Sequence, residues 1–351
     1  MVDTSQSPKN PETFVPRRWL RGGHMQTVSS FLLPRRFSLP APERRLIEVA
    51  PGIQVLCHCH WQADRTHPLT IIIVHGLEGS SESQYVRGIT QKALAAGMNV
   101  IRYNQRNCGG TEELAPVLYH SGLSDDVAAV ARELIEKDGI SQLALAGFSM
   151  GGNLVLKLAG EWGSHGPPQF RAVAACCPAL DLAASADALH EPANRLYELY
   201  FLFNLRRRMM RKASLFPKHF DVTRMHGMRS LRDFDHQITA FYCGFSGADD
   251  YYARASASNV VEKIAVPTLI VHAANDPFIR ILPETRRKIA ANPNITFVEV
   301  RDGGHCAFVG RRNGVDDGFW AESQIVDFLR RLSIDAPILD RASEGSVIRQ
   351  R

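Results

Sequence analysis

Three kinds of side chain in this sequence stand at spacings that would make an alcohol reactive toward an acyl carbonyl: a serine between glycines, an acid and a late histidine. The serine is Ser149, in Gly147-Phe148-Ser149-Met150-Gly151, with the apolar run QLALAG leading into it and GNLVLKLAGEW following. That order reads as strand, sharp turn and helix. A serine at such a turn is strained, with its hydroxyl projecting from the carboxyl edge of a sheet. The flanking glycines are required because side chains there would strike the neighbouring strand and helix. Gly244-Phe245-Ser246-Gly247-Ala248 is a near miss that lacks the final glycine and follows no apolar strand.

A serine hydroxyl is a poor nucleophile until a neutral imidazole takes its proton, and a carboxylate on the far ring nitrogen fixes the tautomer. In sheets that carry such a turn, the acid and the base follow the serine in that order, on loops after later strands. TLIVHA runs into Ala274-Asn275-Asp276-Pro277, and TFVEV runs into Arg301-Asp302-Gly303-Gly304-His305. Of thirteen histidines only His305 lies beyond Asp276, so Asp276 as acid leaves a single candidate base. Asp302, three residues from His305 on the same loop, is badly placed to reach the far ring nitrogen. A developing oxyanion also needs two donors already in place, each worth about 3 kcal/mol. The candidates are the backbone N–H groups of Met150 and of Leu77, the latter in His75-Gly76-Leu77-Glu78-Gly79, where Gly76 lets the backbone approach. His75 and His272 read as loop-shaping or buried residues. The chemistry calls for no cofactor and no metal.

The elements needed to position these groups are visible as apolar runs of strand length alternating with helical stretches. Strands are expected at Leu46 to Ala50, Val55 to Trp61, Thr70 to Val74, Asn99 to Tyr103, Gln142 to Ala146, Arg171 to Cys176, Thr268 to His272 and Thr296 to Val300. Val127, Val130, Ala131 and Leu134 fall on one helical stripe. Strand alternating with helix predicts an α/β fold, a mostly parallel central sheet flanked by helices. The alternation stops between about 182 and 263, which reads as a helical cap insertion. Residues 1–42, rich in Pro and Arg without a sustained period, read as an N-terminal arm, residues 43–335 as the main domain, and 336–351 as a tail.

Together these residues resemble the α/β-hydrolase superfamily over about residues 45–335, and within it the YheT-like (AB-hydrolase-4) group of esterases and lipases. The narrower resemblance rests on Gly23-His24-Met25-Gln26-Thr27, on Tyr103-Asn104-Gln105-Arg106-Asn107-Cys108-Gly109-Gly110, on Tyr119-His120-Ser121-Gly122 and on FDHQITAFYCGFSGADDYYARAS. It implies Ser149, Asp276 and His305 as a catalytic triad, acting on short-chain or monoacylglycerol-type carboxylic esters. Asn107 stands where the family pattern has glycine, which bears on the local turn. The same triad would serve a thioesterase, an amidase or an acyltransferase, and the same fold a catalytically silent lipid- or protein-binding module.

Composition narrows the remaining classes. With 351 residues, 45% hydrophobic and 22% charged, the chain is neither disordered nor fibrous. A net charge of +5, from 41 Lys and Arg against 36 Asp and Glu, is too small to argue for nucleic acid. The amino terminus lacks the apolar core of a signal peptide, and the seven cysteines are odd in number, so a cytoplasmic location with reduced thiols is expected. In Cys57-His58-Cys59-His60 a strand would turn the thiols to one side and the imidazoles to the other, which prevents a common metal. Cys108 and Cys306 are candidates to line the site. Tyr197 to Leu205 reads equally as acyl channel or cap core. Arg206, Arg207, Arg208, Arg211 and Lys212 read as a solvated helix face or as a contact for anionic headgroups at a membrane surface.

Overall fold

The computed structural model describes residues 14–312, 314 and 317–334. The expected tail at 336–351 and the first thirteen residues of the expected arm lie outside these. Helix α1 (Gly23–Leu32) precedes the strand pair β1 (Glu43–Ala50) and β2 (Ile53–His60), and β3 (Thr70–Val74), α2 (Gln84–Ala95) and β4 (Asn99–Tyr103) follow. Next come α3 (Ser124–Asp138), β5 (Leu143–Phe148), α4 (Met150–Trp162) and β6 (Phe170–Cys176). Between β6 and the next strand lie five α-helices and no strand: α5 (Leu182–His190), α6 (Arg195–Leu215), α7 (Leu231–Phe234), α8 (Ala240–Cys243) and α9 (Ala248–Ala255). The chain then runs through β7 (Thr268–Ala273), α10 (Pro283–Ala291), β8 (Ile295–Val300) and α11 (Trp320–Ile334).

The eight strands form one sheet in the order β1-β2-β4-β3-β5-β6-β7-β8. β1 and β2 pair antiparallel, as do β2 and β4, and every other neighbour is parallel. Sequence periodicity explains the two faces. Along β3, Ile72 and Val74 pack against α3 and α4, while Ile71 and Ile73 pack against α2 and α11. All five residues of β3 are therefore buried, as a central parallel strand requires. On β2, Cys57 and Cys59 face the first of these layers, whereas His58 meets Ser81 and His60 accepts from Arg102 on the other side. The four candidate ligands do not converge.

Two expectations need correction. The arm is not irregular throughout, because α1 forms within it. Its inward face carries polar residues, Gln26, Thr27 and Ser29, and its outward face apolar ones, so a search for a buried hydrophobic stripe cannot find it. The basic run of α6 is not one solvated face. Lys212 is fully buried and donates to Asn107 Oδ1 at 3.0 Å, to Glu112 O at 2.8 Å and to Ala115 O. Arg208 forms a two-point ion pair with the Glu78 carboxylate at 2.9 and 3.1 Å. Arg206 donates to Met228 O, and only Arg207 and Arg211 are exposed. Residues 205, 208, 209 and 212 share the inward stripe of this helix, so composition alone misassigns two of the cations. With both turned inward, Arg208 and Lys212 are anchors of the cap rather than headgroup ligands.

Asn107 resolves its own anomaly. It takes φ +64°, a left-handed conformation that glycine adopts freely and asparagine tolerates better than most residues. Its side chain donates to Val117 O at 2.7 Å and accepts from Lys212, so the turn is kept and the cap gains a tie.

Candidate active site

Ser149 sits between β5 and α4 with φ +55° and ψ −121°, a conformation costing about 1–3 kcal/mol for a residue with a side chain. The surroundings over-determine it. Its N–H donates to Cys176 O at 2.9 Å, and its carbonyl accepts from Asn153 N–H at 3.1 Å and Ala179 N–H at 3.2 Å. A Cβ on Gly147 would lie 2.3 Å from Gly151 O, and one on Gly151 would lie 2.3 Å from Val74 O. The glycine spacing is thus imposed by backbone packed against backbone. Met150, the first residue of α4, is buried beside Cys108 and Tyr119.

Asp276 follows β7 and His305 follows β8, so neighbouring parallel strands deliver both loops to the edge where β5 ends. His305 Nδ1 lies 2.8 Å from Asp276 Oδ2, while Asp276 Oδ1 accepts from the N–H groups of Phe278 and Ile279 at 3.1 and 2.9 Å. Asp302, the rival acid, instead accepts from Asn275. Burial disfavours charge on both partners, but each favours charge in the other. The Asp276 carboxyl is held below its ordinary range by the ring and by the Ile279 N–H, and His305 is raised above the ordinary histidine value by the carboxylate.

The loop holding Gly76 and Leu77 is pinned on both sides. Gly76 N–H donates to Tyr85 OH at 2.9 Å, Glu78 N–H donates to Tyr119 OH at 3.2 Å, and Tyr119 OH donates back to the Glu78 carboxylate at 2.7 Å. His75 is buried and accepts from Gln105 N–H, which fits the loop-shaping role expected for it. A Cβ on Gly76 would lie 3.1 Å from Ser149 Cβ, so this loop runs directly against the serine.

Ser149 stands between two cavities. The inner one lies under the cap and is lined by Leu77, Met150, Leu182, Leu205, Met209 and Phe278 among others. The outer one holds His305, Cys306, Gly76, Leu77 and Tyr85 and reaches Phe31 of the arm and Tyr200 of the cap. Ser149, Leu77 and Phe201 line both. Cys306 therefore lines the site, with Sγ 3.9 Å from His305 Nε2, and Cys108 lies one layer behind, against Met150. The ligand atoms of Cys176, Cys177 and Cys306 lie within 4.8 Å of one another, as do those of Cys177, Asp276 and His305. Burial pushes all three thiols well up, which favours neutral thiols packed behind the ring.

Sequence reasoning did not single out Thr27 or Asn275. Thr27 Oγ1 accepts from His305 N–H at 2.8 Å, and Asn275 Oδ1 accepts from Gly304 N–H at 3.0 Å. Gly23-His24-Met25-Gln26-Thr27 is conspicuous as a string, but no spacing rule connects it to a loop some 280 residues away. Gln26 completes the link by donating to Val309 O and accepting from Val309 N–H.

A mostly parallel sheet with a strained serine after a central strand, and a paired acid and imidazole after the last two, defines the α/β hydrolases, and residues 70–311 match that fold's family model. The chain belongs to this family and, within it, to the YheT-like group. It is 30% identical to the putative esterase YheT of Escherichia coli over 321 residues, covering 90% of this chain and 92% of that one. It is 28% identical to the phospholipase ABHD3 of Homo sapiens over 327 residues, covering 89% and 76%. Among solved structures, an esterase of Pyrococcus furiosus superposes with a TM-score of 0.55 at 16% identity, covering 92% of this chain and all of that one. That likeness speaks for the fold alone. Among the described residues, no helix is long and apolar enough to cross a membrane.

Proposed function

We propose that the protein is a serine hydrolase of carboxylic esters, of short-chain or monoacylglycerol type, working through an acyl-enzyme. The observation carrying this reading is that Ser149 and His305 line one cavity, with the far ring nitrogen held by Asp276 at 2.8 Å. Ser149 Oγ attacks the ester carbonyl while His305 Nε2 takes its proton, and Asp276 keeps the proton on Nδ1 and stabilises the imidazolium. The carbonyl oxygen gains negative charge toward the N–H groups of Met150 and Leu77. Collapse expels the alcohol, which receives the proton from His305. Water, deprotonated by the same ring, then attacks the acyl-enzyme and releases the acid and the serine. The apolar inner cavity suits the acyl chain, and the outer cavity suits the departing alcohol. The naming of relatives as esterase and phospholipase supports an ester, and a lipid one, as substrate.

Replacing Ser149 by Ala tests the reading directly. Fluorophosphonate labelling and p-nitrophenyl acetate turnover should both vanish, a loss of about 10⁴-fold or more, with the circular dichroism unchanged. Turnover that survives would remove Ser149 from the mechanism. Comparing esters, acyl-CoA and amides of equal chain length separates ester hydrolysis from thioesterase and amidase activity.

A further inference from the structure

The outer surface around the cavity mouth is built inside out. On α1 the buried side chains are Gln26, Thr27 and Ser29, while Met25, Val28, Phe31 and Leu32 are exposed. On α6 the buried residues include Glu198 and Lys212, while Leu196, Leu199, Tyr200 and Phe203 are exposed at intervals of three and four, forming one stripe. Exposure reaches 74% at Leu32, 82% at Leu196 and 66% at Phe203. Twelve of the fifteen large apolar side chains exposed among the described residues belong to the arm and α6, so these are not singly scattered leucines.

The two stripes meet at the site. The His24 ring stacks on Tyr197 at 5.8 Å between centroids, and Phe31 and Tyr200 line the outer cavity together with Ser149 and His305. Charge follows the same geography. Residues 14–42 contain five arginines and no acid. Arg18, Arg21 and Arg36 are exposed there, and Arg207 is exposed one turn beyond Phe203. The sole acid of α6, Glu198, is buried and paired with Arg195. Glu82, exposed at the outer cavity, accepts from Arg102 at 2.8 Å, and neither α1 nor α6 carries an exposed acid of its own. An apolar stripe edged by cations is complementary to an anionic lipid surface, in which such a helix lies with its apolar side in the acyl boundary.

We infer that α1 and α6 form a docking face for an anionic bilayer surface, holding the mouth of the Ser149 cavity against the lipid. A water-soluble partner would leave the arginines without counterpart unless it were acidic, whereas anionic headgroups beside acyl chains satisfy both parts of the pattern. The inference rests on the lipid-ester reading above for its purpose but not for its measurement. A substrate molecule would pass from the bilayer past Phe31 and Tyr200 to the serine, with its ester bond reaching Ser149 while its headgroup faces the outer cavity.

Flotation with vesicles tests this. The full chain should bind mixed phosphatidylcholine–phosphatidylglycerol vesicles, weakly bind phosphatidylcholine alone, and lose binding as salt rises, since each arginine near the surface contributes about fivefold. The variant carrying Leu32→Ser, Leu196→Ser and Phe203→Ser should bind the mixed vesicles at least about tenfold more weakly while hydrolysing p-nitrophenyl acetate at the parent rate. Ser149→Ala should bind vesicles as the parent does. A parent chain that hydrolyses the soluble ester yet never floats overturns the docking face and leaves the hydrolase reading intact. Vesicle binding that survives the triple variant also overturns it. A dimer in solution that the triple variant dissolves, with no vesicle binding, assigns the face to a second copy of the chain and overturns it as well.

Discussion

At the sheet edge around Ser149, every tie runs through the main chain of a loop: Asp276 Oδ1 accepts from two backbone N–H groups, the N–H and carbonyl of Ser149 bond Cys176, Asn153 and Ala179, and the His305 N–H donates to Thr27 Oγ1. Along α6 the arrangement is reversed. Long side chains reach across to fix a helix, with Lys212 and Arg208 grasping the loops after β4 and β3. The edge owes its precision to parallel strands of fixed register, which is how a catalytic group is held within a fraction of an ångström. The cap owes its position to a few buried polar ties. Such ties are strong when complete and costly when one member is lost. The two regions should therefore fail differently, the edge in rate and the cap in stability.

The sharpest break in that contrast is Asp276→Asn. An amide fits the space but favours the wrong ring tautomer, so turnover should fall about 10⁴-fold while the melting temperature moves little by comparison. The pH profile gives a second reading of the same residue. Because the carboxylate raises His305 above the ordinary histidine value of ~6.5, the acidic limb of kcat/KM should lie above that pH, and it should move down in the variant. In the parent, the raised His305 contributes stability that is complete below ~6.5 and is lost as pH rises through its folded value. A limb at or below 6.5 in the parent would contradict the coupling.

Lys212→Met tests the cap side. It leaves Asn107 Oδ1 and two carbonyls without their buried donor, and about 3 kcal/mol of unfolding free energy should disappear in denaturant titration. If p-nitrophenyl acetate turnover fell with it by orders of magnitude below the unfolding midpoint, the separation between edge and cap would be wrong. A smaller effect is expected from Thr27→Val, which strips the acceptor from His305 N–H. Activity should drop by up to about tenfold, corresponding to roughly 1.4 kcal/mol, measured as kcat/KM at the pH optimum. Smallest of all is Arg207→Ala, an exposed cation on the same helix as Lys212, with a stability change within about 0.5 kcal/mol. Equal losses at 207 and 212 would restore the reading of one basic, solvated face.

The contrast also explains what could be read from text alone. Gly147, Ser149 and Gly151 are legible because the steric requirement is local, five residues wide. Asp276 and His305 are legible because each closes an apolar strand and the order of strands limits the choices. Arg208 and Lys212 were not, since a run of cations has the same composition whether it faces water or the loops after β3 and β4. Helix α1 was missed for a related reason: its inward face is polar, and periodicity registers a helix only through the contrast it expects.

The sequence by itself determined the alternating elements, the strained serine turn and the acid and imidazole that follow it, because each depends on neighbours close in the chain or on strand order. Only the tertiary structure decided that Thr27 supports the His305 loop, that Lys212 is buried, and that apolar side chains of α1 and α6 share one exposed surface beside the cavity. Those facts concern which face of a helix meets which loop. That choice is made by packing between segments separated by tens to hundreds of residues, and no local pattern of residue types encodes it.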